Sequence, residues 1–203
     1  MQYDFGQSLR DYKKEYKKLH SKDGFTISIA QRVLPIAVLR ASDAYHLFCY
    51  AKRIPNNGTY LEIGSWIGGS LVCVYEATHI IGKMVHFIAI EPILRKGFLN
   101  NVKLIPNFRL IRATSDNAVD QIGDNSIDLL FIDGDHSYQQ VKRDLINYWP
   151  KIKIGGILLG HDYVEAKAWE VKPIADELFG EQLCQFPDDS KMFIVRKTPE
   201  IKI

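Results

Sequence analysis

The strongest constraint on this chain is an alternation that begins at Thr59. Short apolar runs of strand length take turns with helix-length segments down to the C-terminus. Residues 59–63 read as the first strand, and 68–81 as a helix that is apolar nearly all round and therefore buried. Strands are expected at 85–90, 108–112 and 127–132. The segment 137–149 is amphipathic, with Tyr138, Val141, Leu145 and Tyr148 on one side. Gly156 and Gly160 bracket a fifth strand, and Pro173 fits the first turn of a helix running to Phe179. The runs 182–186 and 191–196 form a closing hairpin across Pro187, Asp188, Asp189 and Ser190. Apolar strands alternating with helices imply an α/β fold whose mostly parallel, doubly wound sheet is covered on both faces. Ligands of such sheets bind beyond the carboxyl ends of the strands.

The first 58 residues lack this alternation. Helices are expected at 8–19 and 42–53, the latter capped by Ser42, with a short turn near 27–34. Pro35 and the Pro55-Asn56-Asn57-Gly58 stretch are breaks. The chain therefore divides into an N-terminal helical extension, 1–58, and an α/β domain, 59–203. The extension is expected either to cover the site or to make a homodimer contact.

Lysine plus arginine number 26 against 24 aspartate plus glutamate, which leaves no whole-chain footprint for nucleic acid. The cluster Arg10, Lys13, Lys14, Lys17, Lys18 and Lys22 suits the solvated face of a helix. Three scattered cysteines make no disulfide framework, and Cys73 and Cys184 read as core residues. Without an apolar leader or an 18-residue apolar window, a cytoplasmic protein with no membrane contact is expected.

The chemistry concentrates at strand ends. The first strand runs into Gly64-Ser65-Trp66-Ile67-Gly68-Gly69-Ser70, a turn suited to ligand approach at a helix N-terminus or, more plainly, to tight packing. A dinucleotide fingerprint needs glycines at relative positions 1, 3 and 6, and position 3 here is Trp66. The turn thus suits an adenosine-type cofactor without pyrophosphate. Glu91 ends the second strand, where a carboxylate can accept both hydroxyls of a ribose. Ser115 either caps the next helix or, with Asp116, meets an adenine edge.

The fourth strand ends in Asp133-Gly134-Asp135-His136 and the fifth in His161-Asp162-Tyr163. Asp133, His161 and Asp162 could converge on a divalent cation such as Mg²⁺, or the acids could serve as turn and cap residues. His136 is the candidate general base, with a structural histidine as the alternative. His20, His46, His79 and His86 have no visible partners.

Taken in order, Leu61-Glu62-Ile63-Gly64-Ser65-Trp66-x-Gly-Gly-Ser, then Glu91, Ser115-Asp116, Phe131-Ile132-Asp133-Gly134-Asp135-His136-Ser137-Tyr138 and Gly155-Gly156-x-x-x-Gly-His161-Asp162-Tyr163 resemble the class I S-adenosylmethionine-dependent methyltransferases. The closer likeness is to the macrocin O-methyltransferase-like and cephalosporin-hydroxylase-like branch, over residues 59–196. The resemblance implies a Rossmann-like seven-stranded sheet with an antiparallel last strand. It implies that Gly64, Ser65 and Gly68 line the methionine end of the cofactor, with Glu62, Trp66 and Ser70 beside them. Glu91 would hold the ribose, Ser115 and Asp116 would flank the adenine, and Asp133 would close the site. Metal-dependent relatives carry acidic or amide ligands where this chain has Asp133, His161 and Asp162. The expected activity is methyl transfer to a hydroxyl of a small molecule or sugar. A non-catalytic cofactor-binding module and a nucleotide-dependent oxidoreductase are the alternatives.

Overall fold

The computed structural model describes residues 23–165 and 170–203. The expected helix at 8–19 and the basic cluster lie outside them. Among the described residues two helices come first, α1 (Ile27–Val33) and α2 (Ala41–Ala51). Then follow β1 (Gly58–Ile63), α3 (Gly69–His79), β2 (Val85–Ile90), α4 (Phe98–Val102), β3 (Phe108–Ile111), α5 (Ser115–Ala118) and β4 (Ile127–Ile132). The chain closes with α6 (Tyr138–Tyr148), β5 (Ile152–Gly160), α7 (Val171–Phe179), β6 (Cys184–Gln185) and β7 (Phe193–Arg196). The strands form one seven-stranded sheet in the order β3-β2-β1-β4-β5-β7-β6. β1 to β5 are parallel, while β7 runs antiparallel to both β5 and β6. This is the architecture the alternation predicted.

The sheet is covered on both faces. Tyr60, Phe87, Leu129 and Phe131 point into one apolar cluster with α1, α2 and α3. Leu61, Ile63, Leu130 and Leu158 point into the other with α6 and α7. Successive strand residues thus alternate between two buried faces, which is why these strands read as continuous apolar runs. Residues 25–54 share the first cluster with β1 and α3. Gly69 marks that union: a Cβ there would lie 2.3 Å from the backbone of Ala37, so only glycine lets α3 start so close to the α1–α2 connection.

Several local expectations are corrected. Ser42 does not cap α2; the N-cap is Arg40, and the Asp43 carboxylate accepts the Arg40 N–H at 3.0 Å. Ser115 is the first residue of α5, and its N-cap is Thr114. α4 was unforeseen; its five residues carry too little periodicity to read. β5 begins four residues before Gly156, at Ile152; Lys153 and Gly155 interrupt the apolar run there. Cys73 is buried as expected, but Cys184 is exposed on the short edge strand β6. His46 does have partners: its ring stacks on Phe186 at 3.9 Å and meets Asp188 at 2.7 Å.

Candidate functional site

Register places the candidate residues. Ile63 is paired with Ile90 and Ile132, Ile90 with Ile111, and Ile132 with Gly160. The five strands therefore end level, and the residues after their ends fall in one row: Asp133 between Gly64 and His161, with Glu91 on the other side of Gly64. Ladder bonds extend into this row. Gly64 N–H donates to Ile90, Glu91 N–H to Ile111, Asp133 N–H to Ile63 and His161 N–H to Ile132. Side chains in the row inherit the rigidity of the sheet.

Gly64 has φ +81°, and a Cβ on it would stand 2.3 Å from the Asp133 carbonyl oxygen. Glycine is required for the β1 turn to lie against the end of β4. Two residues on, Trp66 also has positive φ (+50°), a strained conformation for a bulky side chain. Its ring is half exposed and carries the Arg95 guanidinium 4.1 Å above its centroid. The Glu91 carboxylate holds this turn from the side, accepting the backbone N–H groups of Ser65 and Trp66 on Oε2 and that of Ile93 on Oε1.

Glu62 supports the turn from below. It is fully buried, and it accepts the Tyr60 hydroxyl at 2.5 Å and the Ser70 hydroxyl at 2.7 Å. Burial pushes its carboxyl up to about 7, against the opposing pull of those hydroxyl donors.

Around the turn opens a cleft of about 320 Å³. Gly64, Trp66, Glu91, Ser115 and Asp133 line it, as the sequence led one to expect. Glu62, Ser65, Gly68, Ser70 and Asp116 do not. Gly68 instead faces Val102, and Asp116 is exposed and pairs with Arg143 at 3.3 Å. The far wall comes from residues the sequence did not single out, Arg95, Gln140 and Asp144 among them. The Gln140 amide donates to Ser115 Oγ and to Asp144 Oδ1, both at 2.9 Å. The i, i+4 spacing of Gln140 and Asp144 on a helix was legible, but nothing local said which turn they would meet.

Beside the cleft, and sharing Asp133 with it, lies a cluster of carboxylates and imidazoles. His136 Nε2 stands 2.8 Å from Asp162 Oδ2 and 3.9 Å from Asp133 Oδ1. His161 Nδ1 stands 3.3 Å from Asp133 Oδ1 and 3.2 Å from Asp162 Oδ2. Asp162 reaches the cluster with φ +55°, another strained position. The Asp133 and Asp162 carboxylates hold the His136 imidazole at about 9, outweighing partial burial. Burial would raise Asp162, yet His136 and His161 keep its carboxyl well below the usual range.

The donor set suits a divalent cation. Asp133, His136 and Asp162 offer ligand atoms that all lie within 4.8 Å of one another. Two oxygens and one nitrogen fit Mg²⁺ or Mn²⁺ better than a soft metal. His161 Nδ1 is buried in the same cluster without an aligned hydrogen bond. Sequence reasoning paired Asp133 and Asp162 with His161; the geometry adds His136, which is separated from Asp133 by one tight turn.

Sequence reasoning missed Asp43. This carboxylate from α2 is fully buried and meets His161 Nε2 at 3.1 Å. Its place three residues after the N-cap reads as a capping position; the contact with His161 spans 118 residues and leaves no local signal.

Among the described residues no helix is long and apolar enough to cross a membrane. A methyltransferase-domain profile matches residues 61–163, from the second half of β1 through the end of β5. An uncharacterized protein of Sinorhizobium fredii is 39% identical over 146 residues, 70% of this chain. The chain spans only 14% of that relative's length. Among solved structures, the TDP-rhamnose 3'-O-methyltransferase of calicheamicin biosynthesis superposes with a TM-score of 0.62 at 13% identity, over 94% of this chain and 93% of that one. An O-methyltransferase from Bacillus cereus, solved with S-adenosylhomocysteine, gives a TM-score of 0.63 at 13% identity over 95% and 97% of the two chains. With the profile spanning half of its residues and the glycine turn and acidic strand ends inside that span, this chain belongs to the methyltransferase-domain family.

Proposed function

We propose that the protein is an S-adenosylmethionine-dependent methyltransferase that acts on a hydroxyl of a small molecule, a sugar or glycosylated metabolite being the favoured class. The observation that carries the reading is the shared wall: Asp133 belongs both to the cleft beside the glycine turn and to the carboxylate–imidazole cluster. A cofactor in the cleft would present its methyl group next to groups able to manage a proton. Membership of the methyltransferase-domain family supports the cofactor. The two superposed structures are O-methyltransferases by name, one of them acting on a nucleotide-linked sugar, which supports the acceptor class.

The reaction is an in-line displacement. The acceptor oxygen forms a bond to the methyl carbon as the carbon–sulfur bond breaks, the sulfonium becomes a neutral thioether, and the acceptor loses its proton. The protein's task is alignment and proton removal. In this reading Gly64 and the turn behind it hold the methionine end. Glu91 holds the ribose side, and Ser115 and Gln140 face the adenine. His136 takes the acceptor's proton. Asp133 and Asp162 would hold a divalent cation, which when bound supplies Lewis acidity at the acceptor oxygen.

Calorimetric titration with S-adenosylhomocysteine and NADH, followed by a labelled-methyl screen over sugars and phenols with and without Mg²⁺, tests the reading. Tight binding of S-adenosylhomocysteine and label transfer to a hydroxyl are expected. Binding of NADH alone would overturn it, and binding without transfer to any acceptor would favour a cofactor-binding module.

A further inference from the structure

Asp43 is a fully buried carboxylate on α2, outside the α/β alternation. Leaving such a charge unpaired would be prohibitive, so its neighbours define what it does. Oδ1 accepts the Ser190 hydroxyl and the Lys191 N–H, both at 2.8 Å. Oδ2 accepts the Arg40 N–H at 3.0 Å and faces His161 Nε2 at 3.1 Å. Two of these three donors are backbone N–H groups that cannot reverse role. Asp43 therefore acts as an acceptor throughout, and the hydrogen between it and His161 sits on Nε2.

That hydrogen has a directional consequence. With Nε2 tied to Asp43, the ring can present only Nδ1 to the strand ends, where it lies between Asp133 Oδ1 and Asp162 Oδ2. We infer that Asp43 is a positioning residue of the transfer centre: it fixes the rotation of the His161 ring and so sets the spacing of Asp133 and Asp162. A carboxylate behind an imidazole at a reactive or metal-binding centre orients that ring. The same carboxylate ties α2 and the loop before β7 to the ends of β4 and β5. On this inference the helical extension is part of the centre and not only a cover over it. Only the turnover and S-adenosylhomocysteine readouts below rest on the proposed methyl transfer; the Nε2 hydrogen readout stands without it.

The test is nitrogen-15 NMR of the histidine side chains in the full chain, wild type against Asp43→Asn. The wild type should show a slowly exchanging hydrogen on His161 Nε2. In Asp43→Asn one acceptor oxygen becomes an NH₂ that meets a backbone N–H whichever way it turns, so the ring loses its charged anchor and the Nε2 hydrogen should exchange rapidly. Mn²⁺ affinity and turnover should each fall about 10- to 100-fold, with S-adenosylhomocysteine affinity within twofold of wild type. Ser190→Ala also strips a partner from Asp43 but does not touch the ring. It should lower the melting temperature while leaving the His161 signals in place. A wild-type His161 that carries no hydrogen on Nε2 overturns the inference, whether or not Asp43→Asn folds. So does an Asp43→Asn protein with a wild-type Nε2 hydrogen signal and wild-type turnover. Failure of the wild type to bind S-adenosylhomocysteine would instead count against the methyltransferase reading and leave the Nε2 hydrogen result intact.

Discussion

The Glu91 carboxylate accepts the backbone N–H of Trp66 at 2.9 Å, and the same oxygen takes the N–H of Ser65 at 3.0 Å. The acid that ends β2 is therefore the clamp on the turn that ends β1. An ionised carboxylate offers about four acceptor positions, so three backbone donors leave room for a ribose hydroxyl. Hydrogen bonds to charged groups contribute roughly 1.5–3 kcal/mol each. Glu91→Gln should weaken S-adenosylhomocysteine binding about tenfold or more, and Glu91→Ala should in addition lower the melting temperature. Calorimetry and thermal denaturation check both, and wild-type affinity in Glu91→Ala would remove Glu91 from the cofactor site.

Glu62 makes stability depend on pH in a direction unusual for a carboxylate. Its folded value, about 7, lies above the ordinary 4.5. Below 4.5 both states hold the proton and the contribution is complete. Between 4.5 and about 7 the unfolded chain has released a proton that the native protein keeps, so stability declines as pH rises. The loss is on the order of 3 kcal/mol over that window, at 1.36 kcal/mol per pH unit. Urea unfolding at pH 5 and pH 7.5 should show this slope in the wild type and a flatter profile in Glu62→Gln. Equal slopes in the two proteins would show that Glu62 is not the group responsible.

The fold was legible because its strands are buried on both faces. Val85 to Ile90 and Ile127 to Ile132 were found to the residue, since apolar runs of that kind have little else they can be. Strand ends then located Gly64, Glu91 and Asp133, because in a parallel sheet the row of strand ends is the site. What stayed hidden was contact between distant segments. That Glu62 turns inward to Tyr60 and Ser70, and that His136 folds back on Asp162, depends on side-chain direction rather than position. Asp43 was least visible of all. Its local pattern is that of a helix cap, and its second role exists only once α2 packs over the end of β5.

Gly64 offers a sharper test of the close approach between the first and fourth strand ends. Alanine there combines a left-handed φ, worth about 1–2 kcal/mol, with a Cβ 2.3 Å from the Asp133 carbonyl oxygen. Backbone must move, and Asp133 moves with it. Gly64→Ala should therefore lose S-adenosylhomocysteine affinity and Mn²⁺ affinity together, with a lowered melting temperature. Gly97→Ala is a control, because Gly97 also has positive φ but meets nothing closer than the Asn101 amide at 4.0 Å. It should cost stability alone. Loss of cofactor affinity in Gly64→Ala with Mn²⁺ binding preserved would mean that the two sites do not share the Asp133 backbone.

His136 can serve as proton acceptor only when its ring is neutral, and its two carboxylate neighbours oppose that. Asp133 and Asp162 hold the imidazole at about 9. In enzyme stripped of divalent cations the neutral fraction rises tenfold per pH unit below that value. Turnover should therefore climb with pH, with a slope near one, and level off at about pH 9. A divalent cation bound by Asp133 and Asp162 would neutralise the charges responsible, so adding Mg²⁺ should move the plateau to lower pH. His136→Ala should abolish the ascending limb and cut turnover by about 10²–10⁴-fold, the usual range for a general base, with S-adenosylhomocysteine affinity little changed. The decisive measurement is the pH dependence of turnover in EDTA for the wild type and His136→Ala. If both climb in parallel, the limb belongs to the acceptor's own hydroxyl, and His136 is reduced to holding Asp162 in place.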